Sequence, residues 1–217
     1  MQAEDKPWFR LWPKDVPRTL EYPKVPLHAI LEKTVKEHPE KVAIAYFERE
    51  ITYAELDSLS DRFAAALAAL GMKKGDRVAL FLPNIPQFVI AYYGVLKAGA
   101  VLTAISPLHK EREVPYQLND AEAEIIVALD SLYPIVEKAW QETKLKNAVV
   151  TSLEEYATKT TAMRNTVKQK PNVYSFQELL LKEKGAKPPK MRINPKEDLA
   201  ALQYTGCLLY TSPSPRD

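Results

Sequence analysis

Three histidines, one cysteine and a scatter of carboxylates are the side chains from which chemistry would ordinarily be built, and their spacing offers little. His28, His38 and His109 follow no ligand pattern, so no metal centre is expected. Cys207 has no second cysteine to pair with. No Gly-x-Ser-x-Gly elbow marks a nucleophilic serine, and Glu111 with Glu113 reads as a solvated helix face. By residue type alone the end of the last apolar run, Tyr204, Thr205 and Gly206, is an ordinary strand end. No residue is assigned a catalytic role.

The elements that would carry that strand end are written in alternating signals. Leu27 to Glu37 has helical spacing, with Leu27, Ile30, Leu31, Thr34 and Val35 on one face. Val42 to Phe47 and Ile51 to Tyr53 then flank a polar turn and predict a small hairpin. Thr52 and Glu55 form a capping-box pattern that opens a helix, and Gly71 closes it. Strands are expected over 77–82, 100–105, 124–129, 148–151 and 199–204, and helices over 86–98, 111–119 and 131–140. Pro115 should delay the second of those helices to around Glu113, and Ser175 with Glu178 should open a further one. Apolar strands without strict alternation, separated by helices, predict an α/β fold whose mostly parallel sheet is flanked by helices on both faces. Gly99 reads as a helix stop, Gly75 as a turn and Gly94 as a point of close helix packing.

Composition narrows the setting. With 217 residues the chain can bury a sizeable core, and 30 basic against 28 acidic residues give a net charge of +2. That balance gives no reason to expect a nucleic-acid partner. No apolar secretory signal opens the chain, and a cytoplasmic setting is the default. From Phe88 to Ile105 Lys97 is the only charge, which meets the length of a membrane span. Pro86 as a helix start and Gly99 as a stop favour a helix followed by a buried strand instead. Residues 1–26 mix five prolines with Trp8, Phe9, Trp12 and Tyr22, which predicts an extended arm on the domain. Peripheral membrane contact by its aromatic and basic residues is the alternative, although stable anchoring takes two signals. Residues 157–170 carry Lys159, Arg164, Lys168 and Lys170 without an acid and read as a solvated loop.

In order and spacing, several short stretches together resemble the AMP-forming acyl-CoA synthetases of the adenylate-forming superfamily. They are Ile51 to Leu56 (ITYAEL), Leu70-Gly71, Gly75 to Val78 (GDRV), Leu82-Pro83-Asn84, Gly94 to Ala100 (GVLKAGA), Gln117 to Asp120 (QLND) and Leu202 to Gly206 (LQYTG). The opening Lys6 to Phe9, the Glu21-Tyr22-Pro23 turn and Leu132-Tyr133-Pro134 look most like the long-chain fatty acid CoA ligase branch. The resemblance implies that residues 27–206 form a partial AMP-binding domain, the first α/β subdomain of a large N-terminal domain. It also implies a parent enzyme that activates a fatty acid with ATP and Mg²⁺ to an acyl adenylate and passes the acyl group to CoA. Tyr204, Thr205 and Gly206 would begin the nucleotide-binding loop, although Tyr204 suits strand packing equally. An aryl-CoA ligase, a peptide-synthetase adenylation domain, or a non-catalytic interaction module that keeps the sheet are the alternatives.

Two departures stand out. Ser106-Pro107 replaces the family's Asn or Asp before proline, a change expected to be tolerated. After Gly206 the family continues into Gly, Thr and Ser residues ending near a lysine, whereas residues 207–217 read CLLYTSPSPRD. Without glycine and with two prolines, that stretch cannot form a phosphate cradle of closely approaching backbone amides. It resembles translated adapter sequence, and the expectation is an unrelated tail on a fragment lacking the family's activity. A genuine, disordered Ser/Pro-rich terminus is the competing reading.

Overall fold

The computed structural model describes residues 6–158 and 170–205. The centre of the expected basic loop, Gly206 and the tail 207–217 lie outside the described residues.

The hairpin forms as β1 (Val42–Tyr46) and β2 (Arg49–Thr52), antiparallel, with Phe47 at a φ of 49° in the turn. Its last residue starts α2 (Tyr53–Ala69): Thr52 Oγ1 accepts from the Glu55 amide at 3.2 Å. Only half of the expected capping box is present, because the Glu55 carboxylate turns to the Arg49 guanidinium. Gly71 then leaves the helix at a φ of +87°, which an L side chain adopts only with strain.

Six strands make one parallel sheet in the order β7–β6–β5–β3–β4–β8. They are β3 (Arg77–Phe81), β4 (Val101–Ala104), β5 (Ala123–Leu129), β6 (Asn147–Thr151), β7 (Val173–Ser175) and β8 (Ala201–Leu202). The helices α1 (Ala29–Glu37), α3 (Pro86–Lys97), α4 (Glu113–Asp120), α5 (Tyr133–Ala139) and α6 (Phe176–Lys182) complete the order. The central strands are short and apolar, and Val78 with Leu80 faces one layer while Ala79 with Phe81 faces the other. Between Arg77 and Val78 the pairing with β5 slips by one residue, so Glu124 is passed over and the alternation of β5 resumes correctly. Helices α2, α3 and α6 cover the first face, and α4 and α5 the second.

Several boundaries differ from expectation. The first helix begins at Ala29 and buries Leu31, while Leu27, which precedes it, and Ile30 stay exposed. The expected helix 131–140 is a single α-helical segment between two 3-10 turns. β8 keeps only two residues of the predicted six: Asp198 turns back to the Asn194 amide at 2.6 Å and Leu199 is exposed. β7, which has no strong apolar run, was not expected from the sequence. Residues 7–10 of the arm form a 3-10 turn. Among the described residues no helix is long and apolar enough to cross a membrane.

The α2–α3 contact explains two residues of the same motif. A methyl group on Gly94 would lie 2.7 Å from Phe63 Cδ1 and 3.1 Å from the Ser60 carbonyl, so the two helices touch only because Gly94 has no side chain. One turn on, Lys97 is 4% exposed and its Nζ meets Asp57 Oδ1 and Asp61 Oδ1, both at 2.6 Å. The single charge of the stretch from Phe88 to Ile105 is therefore an internal cation between two carboxylates, the second of which also meets Lys187 at 3.2 Å.

Candidate functional site at the carboxyl edge of the sheet

In a parallel sheet, ligands bind beyond the carboxyl ends of the strands, where successive connections leave to opposite faces. That condition holds around β3. Its connection, α3, packs on one face, while the connections of its neighbours β4 and β5, α4 and α5, pack on the other. The strand exits there are Leu82-Pro83-Asn84, Ile105-Ser106-Pro107 and Thr151-Ser152, with Tyr204 and Thr205 following β8 on the flank of β4. Asn84 is exposed, so the rim offers an amide to solvent beside the centre of the sheet.

Buried amides hold this edge in place. Gln117 of α4 donates from Nε2 to Thr103 Oγ1 at 3.0 Å and to the Ala104 carbonyl at 2.9 Å, tying the end of β4 to the helix beneath it. Gln87, in the first turn of α3, donates to Thr151 Oγ1 at 2.9 Å and to the Ser152 carbonyl at 2.8 Å. Thr151 in turn donates to Glu155 Oε2 at 2.7 Å, and Gln177 of α6 donates to the same oxygen at 3.0 Å. The Ser152 amide donates to Glu155 Oε1 at 3.2 Å. Glu155 is wholly buried, and burial raises its pKa above the ordinary glutamate value against the opposing pull of these donors. Beside it, burial pushes the Tyr156 hydroxyl up to about 12.

Of the sequence candidates, the structure places two. Tyr204 is half-buried, and its hydroxyl donates to Asp120 at the end of α4; burial and then this carboxylate push the phenol up to about 12. Its contact is thus packing of the β8 exit onto α4. Thr205 is exposed at the flank of the edge, free of the sheet ladder. Gly206 lies outside the described residues. A cavity of about 330 Å³ lies elsewhere, at the amino edge, lined by Tyr22, Leu27, Lys74, Ala100, Ile193 and Leu199 among others.

Sequence reasoning gave no site role to Gln87, Thr103, Thr151, Glu155 and Gln177, and none to Gln117 beyond its place in the QLND motif. A signal existed for four of them: Gln87, Thr103, Thr151 and Gln177 each interrupt or border an apolar run that the fold buries. Ser152 with Glu155 also carries the capping-box pattern read at Thr52 and Ser175, and here both halves of the box form. Among the described residues no group of three or more His, Cys, Asp or Glu side chains could hold a metal ion.

The sequence profile of AMP-binding enzymes matches residues 31–207. A long-chain-fatty-acid–CoA ligase of Bacillus subtilis (strain 168) is 36% identical over 95% of this chain and 38% of its own length. One from Haemophilus influenzae is 32% identical over 93% of this chain and again 38% of its own length. The chain thus spans about 38% of the curated relatives it matches. Among solved structures, a long-chain-fatty-acid-CoA ligase from Archaeoglobus fulgidus superposes with a TM-score of 0.70 at 23% identity, covering 87% of this chain and 36% of that one. The anthranilate CoA ligase AuaEII in complex with anthranoyl-AMP also gives 0.70, at 21% identity, over 94% of this chain and 34% of that one. These likenesses establish the shared fold.

Proposed function

Because the chain belongs to the AMP-binding enzyme family, we propose that it is part of a ligase that joins a long-chain fatty acid to CoA through an acyl adenylate. In this reading the fatty carboxylate attacks the α phosphorus of ATP, forming an acyl–phosphate bond as pyrophosphate leaves. The CoA thiolate then attacks the acyl carbon and AMP departs. Charge builds on phosphate oxygens in the first step, and hydrogen-bond donors fixed in advance lower its cost.

The observation that carries the proposal is the direction of β8. It runs parallel to β4, so the chain leaves it at the carboxyl edge of the sheet, on the flank of β4. Thr205 then offers its hydroxyl, and Gly206 its unhindered backbone, to a nucleotide phosphate. Tyr204 acts as a positioning residue, because its bond to Asp120 fixes the start of that loop on α4. Gln117 and Gln87 stiffen the strand exits from below. Mg²⁺ is usually held by nucleotide phosphates and water with one or two carboxylates, and it would enter this site with ATP. The long-chain assignment draws support from two curated relatives bearing that name over more than nine-tenths of this chain.

Two assays test the reading. The protein extended to the length of its relatives should form thioester from ATP, CoA and a long-chain fatty acid; turnover confined to aryl acids or amino acids would replace the substrate class. The 217-residue chain, whose residues 207–217 bring neither glycine nor lysine after Gly206, should show no ATP–pyrophosphate exchange. Exchange above background would overturn that part.

A further inference from the structure

The place of Thr205 depends on how β8 is set against β4. The two strands meet at Leu102↔Ala201 and Thr103↔Leu202, and the Leu102 amide donates to the Ala200 carbonyl at 3.1 Å. In this register Leu102 and Ala201 share the layer covered by α2 and α3, while Thr103, bonded to Gln117 of α4, shares the other with Leu202. Tyr204, two residues on, therefore turns to α4, where it meets Asp120. A slip of one residue would exchange the faces and put Thr205 on α4 in place of Tyr204. Ala200, Ala201 and Leu202 are apolar in succession, so no alternation of side chains selects one register over the other.

A firmer constraint acts at the start of the strand. The turn before β3 carries Lys74, whose Nζ meets Asp198 Oδ2 at 2.6 Å and donates to the Arg192 carbonyl at 2.8 Å. Asp198 closes a turn of its own, accepting from the Asn194 amide at 2.6 Å and donating from its amide to the Asn194 carbonyl at 2.9 Å. Lys74 thus holds both ends of the segment 192–198 that leads into β8. Gly99, with no side chain, lets that segment close: a methyl there would lie 3.2 Å from Met191 Cγ and 3.5 Å from Lys74 Cγ. The Lys74 turn is itself fastened to the start of β4, since the Gly75 amide donates to the Gly99 carbonyl and the Val101 amide to the Asp76 carbonyl, both at 2.9 Å. One corner therefore joins the beginnings of β3, β4 and β8.

We propose that Lys74 is a positioning residue of the nucleotide loop: through Asp198 and the Arg192 carbonyl it sets the register of β8 on β4, and so decides that Tyr204 and not Thr205 lies against α4. A one-residue slip displaces a strand by about 3.3 Å. Lys74 is rooted in the β4 corner and would lose both contacts in such a slip, so the two registers differ by an ion pair and a charge-assisted hydrogen bond. The Tyr204–Asp120 bond pins the same strand at its exit, and a slip would break both pins at once. That Thr205 then meets a phosphate rests on the function proposed above; the register itself does not.

Hydrogen exchange and interstrand NOEs in the 217-residue chain test the register. In Lys74→Met the Leu102 amide should exchange about fivefold faster, the weight of a partly exposed ion pair, while the Val127 amide of β5 keeps its parent rate. The NOE between Leu102 and Ala201 should weaken as one to a neighbouring residue of β8 appears. Lys74→Arg presents a cation with several donors and should keep the parent rates and contacts. Parent behaviour at Leu102 in Lys74→Met would overturn the proposal. So would faster exchange shared equally by β3, β5 and β6, which would mark a general loss of stability. In the protein extended to the length of its relatives, Lys74→Met should raise KM for ATP about fivefold and leave KM for CoA unchanged, and Lys74→Arg should keep the parent values. A shifted register with the parent KM for ATP would remove the positioning role and leave the nucleotide reading standing. An extended parent without ATP-dependent turnover would sink that reading instead, and exchange at Leu102 would still decide the register.

Discussion

Among the described residues, a buried cation and a buried carboxylate are balanced by different means. Between α2 and α3, Lys97 is enclosed by the Asp57 and Asp61 carboxylates, with Lys187 reaching in from the surface. At the carboxyl edge, Glu155 is enclosed by a hydroxyl, a side-chain amide and a backbone amide. Opposite charge compensates burial in the first cluster, and neutral donors do so in the second. The first should therefore fail abruptly when a partner is removed, and the second should respond gradually to pH.

The largest effect is expected from Lys97→Met. It leaves two carboxylates facing an apolar stem, and removal of one member of a buried ion pair costs about 3 to 5 kcal/mol. Urea unfolding measures this, and Asp61→Asn introduced into the same protein should return part of the loss. If Lys97→Met unfolds at the same denaturant concentration as wild type, the charged cluster contributes nothing to holding α3 on α2. A middle effect is expected from Gly94→Ala, whose new methyl would overlap Phe63 Cδ1 at 2.7 Å. Overpacking of this kind costs about 1 to 3 kcal/mol, and pairing it with Phe63→Leu should recover most of it. Recovery would place the strain at that contact and not in helix propensity, which favours alanine.

The smallest and most diagnostic change is Glu155→Gln. Because the folded pKa of Glu155 lies above its ordinary value, the folded protein holds this proton where the unfolded chain has released it. Its contribution to stability is complete below the ordinary glutamate value and declines as pH rises through the raised one. Glu155→Gln should remove that slope while altering stability by only about 1 kcal/mol, the net worth of one hydrogen bond. Thermal melts of both proteins from the ordinary glutamate value upward in pH provide the check. Parallel profiles would mean that neutral donors hold the carboxylate charged, erasing the contrast between the clusters.

Parts of this arrangement were legible in the chain. The hydroxyl of Thr52 and that of Ser175 cap the helices they were expected to open, at 3.2 Å and 3.5 Å from the amides of Glu55 and Glu178. Gly71, Gly75 and Gly99 sit at positive φ where turns and helix stops were read. Pro115 delays α4 to Glu113 as its missing amide requires. The apolar runs form the parallel sheet that their lack of alternation implied. At the site, Tyr204 was foreseen as packing or function, and its bond to Asp120, 84 residues away, was not.

Signals that act within four residues of the chain, such as a cap, a left-handed glycine, a proline or an apolar period, were set by the amino-acid order alone, because the backbone responds to its immediate neighbours. The order of the strands, the half-formed box at Glu55, the shortening of β8 and the partners of Lys97, Gln87 and Glu155 were decided only by the folded chain. Those interactions join residues brought together by the packing of whole elements, and desolvation, which gives them their weight, exists only once that packing is complete.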